Sequence, residues 1–390
     1  MADSIRLLRI TTVPQSLTLL LAGQLNFFQS QGFEVLAVSA DGPEVQTLRK
    51  QNIPHRVVNL TRKITPLQDV IALVKLIQVI REFKPVIVHT HTPKAGLLGM
   101  MAAWLCRVPV RMHTVAGLPL MEATGWKRRI LWLTEKITFA CATAVFPNST
   151  GLSDFIQQSW NVKSSKLNMI GNGSSNGIDT QYFSRTPALV EAARAIRKKH
   201  NIPEDAIVFS FVGRIVKDKG IGELTGAFRQ VQATHPDRTF FLLLVGPLEE
   251  KLDPLDPEVF EFIHSHPQCI RAGFQHDVRP WMLASDVFVF PSYREGFPNV
   301  VMQAACLEIP CIVSDINGCN EIIDRVNTGW IIPPKDKDAL GKAMEEVVKD
   351  YPAARVKAER ARDFVQLHFS RAHVWSSLLK EYQEGIQRHA

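Results

Sequence analysis

Apolar, β-branched runs alternate with helix-period segments along this chain, and the alternation occurs twice, which restricts the fold more than any other feature. In the first half, helical patterns separate the candidate strands IRLLRITTV, FEVLAVSA, PVIVHTHT and PVRMHTVAG. In the second half, the candidate strands are AIVFSFVGR, TFFLLLVGP, CIRAGF, DVFVFPS, PCIVSD and GWIIPP. Nearly continuous apolar strands that alternate with helices are typical of a parallel sheet covered on both faces. We therefore predict an α/β fold of two doubly wound, Rossmann-like domains.

A turn-rich stretch, GNGSSNGIDTQYFSRTP, separates the two alternations and is the predicted linker. A chain of 390 residues also exceeds what one typical hydrophobic core supports. We expect an N-terminal domain over residues 1–180 and a C-terminal domain over residues 181–370. The last segment, 371–390, is expected to form a helix that packs back toward the N-terminal domain.

Composition disfavours several classes of protein. The six cysteines form no Cys-x-x-Cys pair and have no His partners at zinc spacing, so we expect free thiols and no metal site. The stretch MADSIRLLRITTVPQS lacks the apolar core of a signal peptide, and the longest apolar runs are too short to span a bilayer. Gly-x-Gly-x-x-Gly does not follow the first strand, which disfavours a nicotinamide dehydrogenase. We predict a cytoplasmic protein that is not integral to a membrane.

The net charge of +7 is concentrated in the first half of the chain. Residues 1–180 hold 19 Lys and Arg against 10 Asp and Glu, whereas residues 181–390 hold 26 against 28. A basic half suits an anionic membrane surface, a phosphorylated substrate or a nucleic acid, and it is also compatible with a plain solvated surface. A nucleic-acid partner is disfavoured because aromatic and basic residues interleave along only one candidate helix.

Residues that follow strands are the first candidates for function, since ligands of such sheets lie at the carboxyl ends of the strands. FVGRIVKDKG places Arg214 just after a strand and Lys219 five residues later. An arginine fork matches phosphate oxygens and a lysine adds a mobile charge, so the two can face one anionic group. The alternative is a pair of solvated loop cations.

The segment YREGFPNVVMQ follows another strand of the second half. Asn299 is the predicted N-cap of a helix that starts at Val300, and the free amides of a helix start form a phosphate site. Glu295 precedes the cap and can hydrogen-bond hydroxyl groups attached to such an anion. Gln303 lies a turn inside the helix and offers donor and acceptor atoms. The alternative is a turn acid and a helix-surface amide.

Two residues of the first half are weaker candidates. His113 in RMHTVAGLP is expected just past a strand, although a lone His is more often a structural residue. Lys94 stands at a predicted helix start, where a second anion site competes with a plain surface role. In the second half, Asp336 opens an Asp-x-Asp pattern that matches metal-binding motifs, but its place at a helix start after Pro-Pro predicts N-capping instead.

Together, the stretches FVGRIVKDKG, EGFPNVVMQAACLEIPCIVSDINGCNEII and GNGSSNGID resemble the retaining, GT-B-fold glycosyltransferases of family four. The likeness spans nearly the whole chain and implies two Rossmann-like domains that face each other across a cleft. HTHTPKAGLLG and HTVAGLP resemble the branch that builds bacterial capsular and lipid-linked polysaccharides. The resemblance implies transfer of a sugar from a nucleotide-diphosphate donor, with a UDP-sugar favoured, and implies no metal or other cofactor.

The resemblance also implies roles for particular residues. Arg214 and Lys219 would grip the donor diphosphate and stabilise it as a leaving group. Glu295 would bond hydroxyls of the donor sugar, and His113 would contact that sugar from the other domain. The residues expected to meet the base, the ribose and the distal phosphate are Phe274, Gln303, Phe297, Pro298, Asn299, Val300 and Val301. The residues expected on the acceptor side are Lys94 and Ser16.

The sequence departs from the family pattern at Gln303, where Glu is common. An amide can still bond two ribose hydroxyls, but without the charge-assisted strength of a carboxylate. Family members retain the anomeric configuration by front-face attack, in which a donor phosphate oxygen takes the acceptor proton, so cations on the leaving diphosphate contribute most to catalysis. A hydrolase would need two carboxylates that flank the bond, and Glu295 is matched here by an amide. Transfer is favoured over hydrolysis.

The resemblance makes a polyprenyl-diphosphate-linked glycan the expected acceptor, and such an anionic, membrane-bound acceptor accounts for the basic first half. In GWKRRILWLTEKITFACA, helical spacing predicts an apolar face and a basic-aromatic stripe suited to a bilayer interface. The face comprises Trp126, Ile130, Leu133 and Ile137, and the stripe comprises Arg129, Trp132 and Lys136. A core-packing helix with a solvated basic side is the alternative. We expect peripheral association with the inner face of the cell membrane.

Two other functions stay open at this point. A nucleotide-sugar epimerase can share the double α/β architecture, because fold alone does not settle function. It would release a changed nucleotide-sugar without any acceptor. A catalytically decayed nucleotide-sugar-binding protein is suggested by Gln303, whereas the presence of Arg214, Lys219 and Glu295 together argues against decay.

Overall fold

A computed structural model of the protein describes residues 4–61, 63–121, 123–250, 253–324 and 326–389. Contacts divide the chain into two compact units. The first unit comprises Met1–Gly177 together with Arg371–Ala390, and the second comprises Ile178–Ser370. The chain therefore crosses between units twice, once inside the predicted linker and once before the last helix.

Each unit is built on a six-stranded parallel sheet, which confirms the predicted α/β fold. The first sheet has the order β3-β2-β1-β4-β5-β6. Its strands are β1 Ile5–Ile10, β2 Phe33–Ser39, β3 His55–Val57, β4 Ile87–His91, β5 Val110–Val115 and β6 Ala144–Pro147. The α-helices of the first unit are α1 Gln24–Ser30, α2 Val45–Lys50, α3 Pro66–Phe83, α4 Pro93–Leu105, α5 Gly125–Cys141, α6 Thr150–Trp160 and α15 Arg371–His389.

The second sheet has the order β12-β11-β10-β7-β8-β9. Its strands are β7 Ile207–Val212, β8 Phe240–Val245, β9 Cys269–Gly273, β10 Val287–Phe290, β11 Cys311–Ser314 and β12 Trp330–Ile332. The helices of the second unit are α7 Pro187–Lys199, α8 Ile221–Thr234, α9 Pro257–Ser265, α10 Arg279–Leu283, α11 Asn299–Cys306, α12 Cys319–Ile322, α13 Lys337–Lys349 and α14 Tyr351–Phe369.

The first sheet is covered on both faces by separate apolar cores. One core joins the sheet to α3–α6 and contains Leu76, Leu98 and Phe139. The other joins it to α1 and α15 and contains Phe28 and Leu378. This two-sided burial explains why the strands are apolar at successive positions instead of alternating with polar residues.

A buried cation fastens the C-terminal helix to the first sheet. The Arg9 guanidinium is fully buried and donates to Gln24 Oε1 at 2.5 Å, to His91 Nε2 at 2.6 Å and to the Tyr382 hydroxyl on α15. It also contacts His89 Nδ1 at 2.9 Å. Burial first, and then the charge of Arg9, lower the pKa of His89 and His91 well below the ordinary value. Both imidazoles are therefore neutral and can accept hydrogen bonds from the arginine.

Local signals explain several helix boundaries. The Asp336 side chain accepts from the Ala339 amide at 2.8 Å at the start of α13, which confirms the predicted N-cap. The helical pattern after β1 is broken instead of continuous. It forms a short π-helix, Ser16–Leu20, then turns at Gly23, whose φ of +79° suits glycine, before α1 begins. All six cysteines are free.

Candidate functional site

The predicted donor residues of the second unit gather at the carboxyl edge of its sheet. Lys219 follows β7, and Glu295 follows the neighbouring strand β10. The Lys219 ammonium donates to Glu295 Oε1 at 2.5 Å, and both side chains are largely buried. Ser292 supports the pair, since its hydroxyl donates to the same carboxylate oxygen at 3.3 Å and lies 3.5 Å from the ammonium. The predicted diphosphate cation and sugar-binding acid are thus direct partners.

Two glycines allow the loops at this edge of the sheet to approach each other to backbone contact distance. Gly220, next to Lys219, has φ of +71°, and a Cβ there would lie 2.1 Å from the carbonyl oxygen of Pro291. Gly246 has φ of +142°, and its Cβ would lie 1.9 Å from the carbonyl oxygen of Gly213. A Cβ atom cannot occupy either position, so the loops after β7, β8 and β10 approach only because these residues are glycine.

Arg214 follows β7 on the same edge and is about half exposed. Its guanidinium lies 3.3 Å from Glu249 Oε2 in the loop after β8. Both side chains remain partly open to solvent, so the pair is weak and an incoming anion can compete for the arginine.

Sequence reasoning missed a second set of contacts in these loops. The Arg294 guanidinium donates to Asp218 Oδ2 at 2.9 Å, and the Tyr293 amide donates to the Asp218 carbonyl at 2.9 Å. The Tyr293 hydroxyl donates to both carboxylate oxygens of Glu223, and burial followed by that carboxylate raises the pKa of Tyr293. The only signal in the sequence was their position beside the motif residues. These contacts fix the loops that carry Lys219 and Glu295.

The helix start at α11 differs from the prediction in one detail. Pro298 occupies the N-cap position and Asn299 is the first helical residue, so the prediction of Asn299 as a capping side chain was wrong. Proline at this position fixes the entry angle of the chain, and the Val301 amide donates to the Pro298 carbonyl at 3.1 Å. Val301 points into the core and Phe297 packs on Phe369, with ring centroids 5.1 Å apart. Any ligand contact of this segment would therefore come mainly from backbone.

Gln303 and Phe274 are placed where a ligand can reach them. Gln303 is partly exposed on α11, as is Val300 one turn earlier. Phe274, just after β9, is 65% exposed and packs edge-on against His276, with ring centroids 5.0 Å apart. A large exposed ring at the carboxyl end of a parallel strand suits stacking against a planar ligand group.

In the first unit, His113 lies inside β5 and not just past it, so that part of the prediction was wrong. The strand continues through Thr114 and Val115, which pair with β6. The imidazole is 2% exposed, and its Nδ1 lies 2.8 Å from the Thr90 hydroxyl. Burial lowers the pKa of His113 to about 4, so the ring is neutral near pH 7. Its contact with a sugar stays a prediction.

His113 also requires a glycine on α4. A Cβ at Gly96 would lie 2.4 Å from the imidazole Cε1. The ring is therefore wedged between its strand and the first turns of the helix that begins at Pro93.

The two acceptor candidates lie in the first unit. Lys94, in the first turn of α4, pairs with Asp69 Oδ2 of α3 at 2.5 Å, and both side chains are largely buried. Ser16 opens the π-helix after β1, where its amide donates to the Val13 carbonyl at 3.1 Å. The Lys94 ammonium thus forms an ion pair with a carboxylate in this structure. The acceptor roles of both residues stay predictions.

Two parallel α/β units, the second with cations and an acid at the carboxyl edge of its sheet, define a GT-B-type glycosyltransferase. The family description "Glycosyl transferases group 1" matches residues 192–364, and "Glycosyl transferase 4-like domain" matches residues 20–173. The chain belongs to this glycosyltransferase family, as the sequence resemblance implied.

Relatives match over much or all of the chain. The capsular polysaccharide biosynthesis glycosyltransferase CapM of Staphylococcus aureus is 33% identical over 382 residues, which cover 98% of each protein. The Escherichia coli UDP-Gal:alpha-D-GlcNAc-diphosphoundecaprenol alpha-1,3-galactosyltransferase is 29% identical over 75% of this chain and 74% of that protein.

Solved structures share the fold. A glycosyltransferase from Rickettsia africae ESF-5 superposes with a TM-score of 0.82 at 19% identity and covers 98% of this chain and 99% of its own. Anabaena Alr3699/HepE, solved in complex with UDP and glucose, gives a TM-score of 0.78 at 17% identity and covers 97% and 100%. At these identities the likeness concerns the fold alone.

The glycine requirement at the edge predicts a difference between two substitutions in the second unit. Gly220→Ala and Gly273→Ala both place a side chain at left-handed φ, +71° and +66°, but only Gly220 has an atom in the way. Each substitution should lower the free energy of unfolding by about 1 kcal/mol because of backbone strain. Gly220→Ala should lower it by at least about 2 kcal/mol more because of the overlap with Pro291. Thermal unfolding midpoints measure the difference. Equal losses would show that the loops after β7 and β10 can separate at little cost.

Proposed function

We propose that the protein transfers a sugar from a nucleoside-diphosphate-sugar, with a UDP-sugar favoured, to a lipid-linked or polysaccharide acceptor in bacterial surface-glycan synthesis. The observation that carries the proposal is the 2.5 Å contact between Lys219 and Glu295 at the carboxyl edge of the second sheet. A cation for a phosphate and an acceptor for hydroxyl groups are held side by side, which is the pair of functions that a sugar phosphate needs.

Donor binding would replace the ion pair between Lys219 and Glu295 by two contacts with the donor. Its diphosphate would take the Lys219 ammonium, and the Glu295 carboxylate would then accept hydrogen bonds from sugar hydroxyls. Arg214 would leave Glu249 and add a second cation to the diphosphate. These cations would stabilise the negative charge that develops on the leaving group. Such electrostatic stabilisation of developing charge is usually the largest single contribution to catalysis.

We assign the nucleobase and ribose contacts to side chains of the second unit that are at least partly exposed. The nucleobase would stack near Phe274, and Gln303 would hydrogen-bond the ribose hydroxyls. Backbone amides of Phe297, Asn299 and Val300 would meet the distal phosphate, since the first turn of α11 leaves amides without intrahelical partners. Pro298 has no amide hydrogen, and the Val301 amide already donates to the Pro298 carbonyl.

We propose a retaining reaction that needs no metal. The bond between the anomeric carbon and the diphosphate oxygen breaks, and the acceptor oxygen bonds to the same face of that carbon. The acceptor proton passes to an oxygen of the departing diphosphate. Lys219 and Arg214 would offset the negative charge of the departing diphosphate. His113, which is neutral near pH 7, would hydrogen-bond to the sugar.

The relatives support the choice of donor and acceptor. The E. coli relative is named for a UDP-galactose donor and a diphosphoundecaprenol-linked acceptor, and the S. aureus relative for capsular polysaccharide synthesis. A UDP-linked donor and a polyprenyl-diphosphate-linked acceptor are therefore the first compounds to assay.

The basic first unit supports peripheral association with the cytoplasmic face of the membrane. Helices α3, α4 and α5 pack side by side on one face of the first sheet. Large apolar side chains are exposed along this layer, namely Leu67, Val70, Ile71 and Val74 on α3, Trp104 and Leu105 on α4, and Trp126, Ile130 and Leu133 on α5. Within the part of the chain that the structure describes, no helix is long and apolar enough to cross a bilayer.

On α3 and α5, large apolar side chains are exposed at positions that core packing would ordinarily bury. The α3 residues recur with helical spacing on one outward face, and on α5 the buried face is formed by Glu135, Thr138 and Phe139 instead. Ile137 is only partly exposed. An apolar stripe beside exposed Lys127 and Arg129 suits insertion into an anionic interface.

Thermal unfolding with UDP, GDP, dTDP and CDP tests the donor class. A nucleotide at about a hundred times its dissociation constant adds roughly 2.7 kcal/mol, which raises the midpoint measurably. We expect UDP to stabilise the wild type and Arg214→Ala to lose most of the shift. A shift with none of the four nucleotides would contradict the proposed donor site.

Turnover should respond differently to changes in the two polar side chains. Glu295→Gln weakens both the sugar contact and the hold on Lys219, so kcat should fall by about a hundredfold or more. Gln303→Ala removes neutral hydrogen bonds to the ribose, so KM should rise by about tenfold or less. Release of UDP together with a glycosylated acceptor is the readout. Equal small losses would contradict the assignment, and a changed nucleotide-sugar released without acceptor would identify an epimerase.

Flotation tests the membrane surface. We expect the protein to float with phosphatidylglycerol-containing vesicles at low salt, to remain behind with pure phosphatidylcholine and to be released at high salt. Leu67→Ser combined with Ile71→Ser should weaken flotation. The matched control, Val356→Ser with Leu367→Ser, removes exposed apolar side chains from the second unit and should have no effect. Equal flotation of both variants would rule out the α3 face.

A further inference from the structure

A recess of about 830 Å³ lies in the first unit, away from the residues assigned to the donor and acceptor but lined by Lys136 of the predicted basic-aromatic stripe. It is bounded by the C-terminal part of α5, the segment that follows α6 and the last turns of α15. Its apolar lining residues are Met112, Phe139, Trp160 and Val162, of which Trp160 is partly exposed and the other three are largely buried. Because Thr143 and Ala144 line it at the start of β6, the recess lies at the amino end of that edge strand. Ligand sites of parallel sheets lie at the opposite, carboxyl ends.

Aromatic packing makes the wall of the recess rigid. Trp160 packs edge-on against Phe139, with ring centroids 5.2 Å apart, and stacks on Trp132 at 6.3 Å. The Trp160 indole donates to the Trp132 carbonyl at 3.0 Å, and the Trp132 indole donates to the Ser159 carbonyl at 3.3 Å. The apolar surface is therefore preformed and would not have to be ordered by a ligand.

Positive charge surrounds this apolar surface. Lys136, Lys163 and Lys166 line the recess, together with Arg388. The Lys166 ammonium donates to the Ala140 carbonyl at 3.3 Å, and the Lys136 ammonium lies 5.0 Å from the centre of the Trp132 ring. Among the residues that the structure describes, none of these three lysines forms an ion pair with a carboxylate. Arg388 differs, since it pairs with Glu384 at 2.5 Å.

The recess holds more cations than acids, since Lys136, Lys163, Lys166 and Arg388 line it together with Glu381. Burial, followed by the nearby charge of Arg111, lowers the pKa of Lys166. Glu381 is the acid that lines the recess, and burial followed by repulsion from Glu384 raises its pKa. Lys166 is thus partly buried near Arg111 and Lys163, at a cost that a bound anion would reduce.

We propose that this recess is a second binding site, which takes a phosphate group carried on an apolar body. The three lysines that line the recess match a multiply charged phosphate better than a single carboxylate, because a carboxylate would neutralise only one of them. The apolar surface under the lysines favours an amphipathic ligand over a bare ion. The phosphate can come from a lipid headgroup or from a soluble phosphate compound, and both present the same chemistry to the lysines.

Calorimetric titration of the full chain tests the site with three probes. They are dihexanoyl phosphatidic acid below its micelle concentration, inorganic pyrophosphate and, as a zwitterionic comparison, dihexanoyl phosphatidylcholine. Lys163→Gln combined with Lys166→Gln should weaken binding of phosphatidic acid by at least about tenfold, with or without a loss for pyrophosphate. Since pyrophosphate can also bind near Lys219, only the part of its binding that the double variant removes is assigned to the recess.

Two further variants separate local binding from general charge. Ala140→Glu places an acid in the recess without removing a lysine, and it should weaken the same probes. Lys198→Gln with Lys199→Gln removes two exposed charges from α7 in the second unit and should change affinity by less than about twofold.

The probes distinguish the sources of the phosphate. Loss confined to phosphatidic acid supports a lipid headgroup, and loss with both probes supports a site that also takes soluble phosphate compounds. Loss confined to pyrophosphate would overturn the apolar part of the proposal. The proposal is overturned if neither recess variant changes any affinity, if the α7 control weakens binding as much, or if phosphatidylcholine binds as tightly as phosphatidic acid. No sugar donor enters the experiment, so its outcome is independent of the proposed transferase reaction.

Discussion

The ion pair between Lys219 and Glu295 depends on a backbone approach that only glycine allows. The loop after β7 contacts the loop after β10 through Gly220, where a side chain would overlap the Pro291 carbonyl. Contacts through Asp218 and Tyr293 then hold the two loops in register. An acid and a lysine held in a mostly buried place are preorganised, so a donor would find its partners in position and would lose little free energy in ordering them.

The first unit holds positively charged side chains in two contrasting environments. Arg9 is fully buried, and its two terminal nitrogens contact neutral imidazole, amide and hydroxyl acceptors. That arrangement anchors the C-terminal helix and leaves no charge for a ligand. The lysines around the recess at the end of α5 have the opposite character, since they remain at least partly accessible and, among the described residues, form no ion pair with a carboxylate. The physical difference is the number of hydrogen-bond acceptors supplied by the fold, which separates a structural cation from a binding one.

Periodicity predicted the alternation of strands and helices, and with it the two parallel sheets, because buried parallel strands must be apolar on both faces. The same reasoning placed Arg214, Lys219 and Glu295 just after strands, whereas Phe274 was named only through the family resemblance. It misplaced His113, since pairing with β6 extends β5 by two residues beyond it. It also missed that Pro298, and not Asn299, precedes the first helical residue of α11. Strand ends are set by neighbouring strands, which a single segment of sequence does not contain.

Local sequence patterns were enough to specify the two-unit α/β architecture, the basic character of the first half and the residues that stand at strand ends. Those properties follow from the spacing of apolar side chains, turns and charges. Tertiary packing determined which of these residues meet: Lys219 with Glu295, Lys94 with Asp69, and three lysines around one apolar recess. It also turned the apolar face of α3 outward, a pattern that helical spacing alone would assign to the core. Contacts between segments far apart in the chain depend on how the elements pack, and packing is a property of the whole fold.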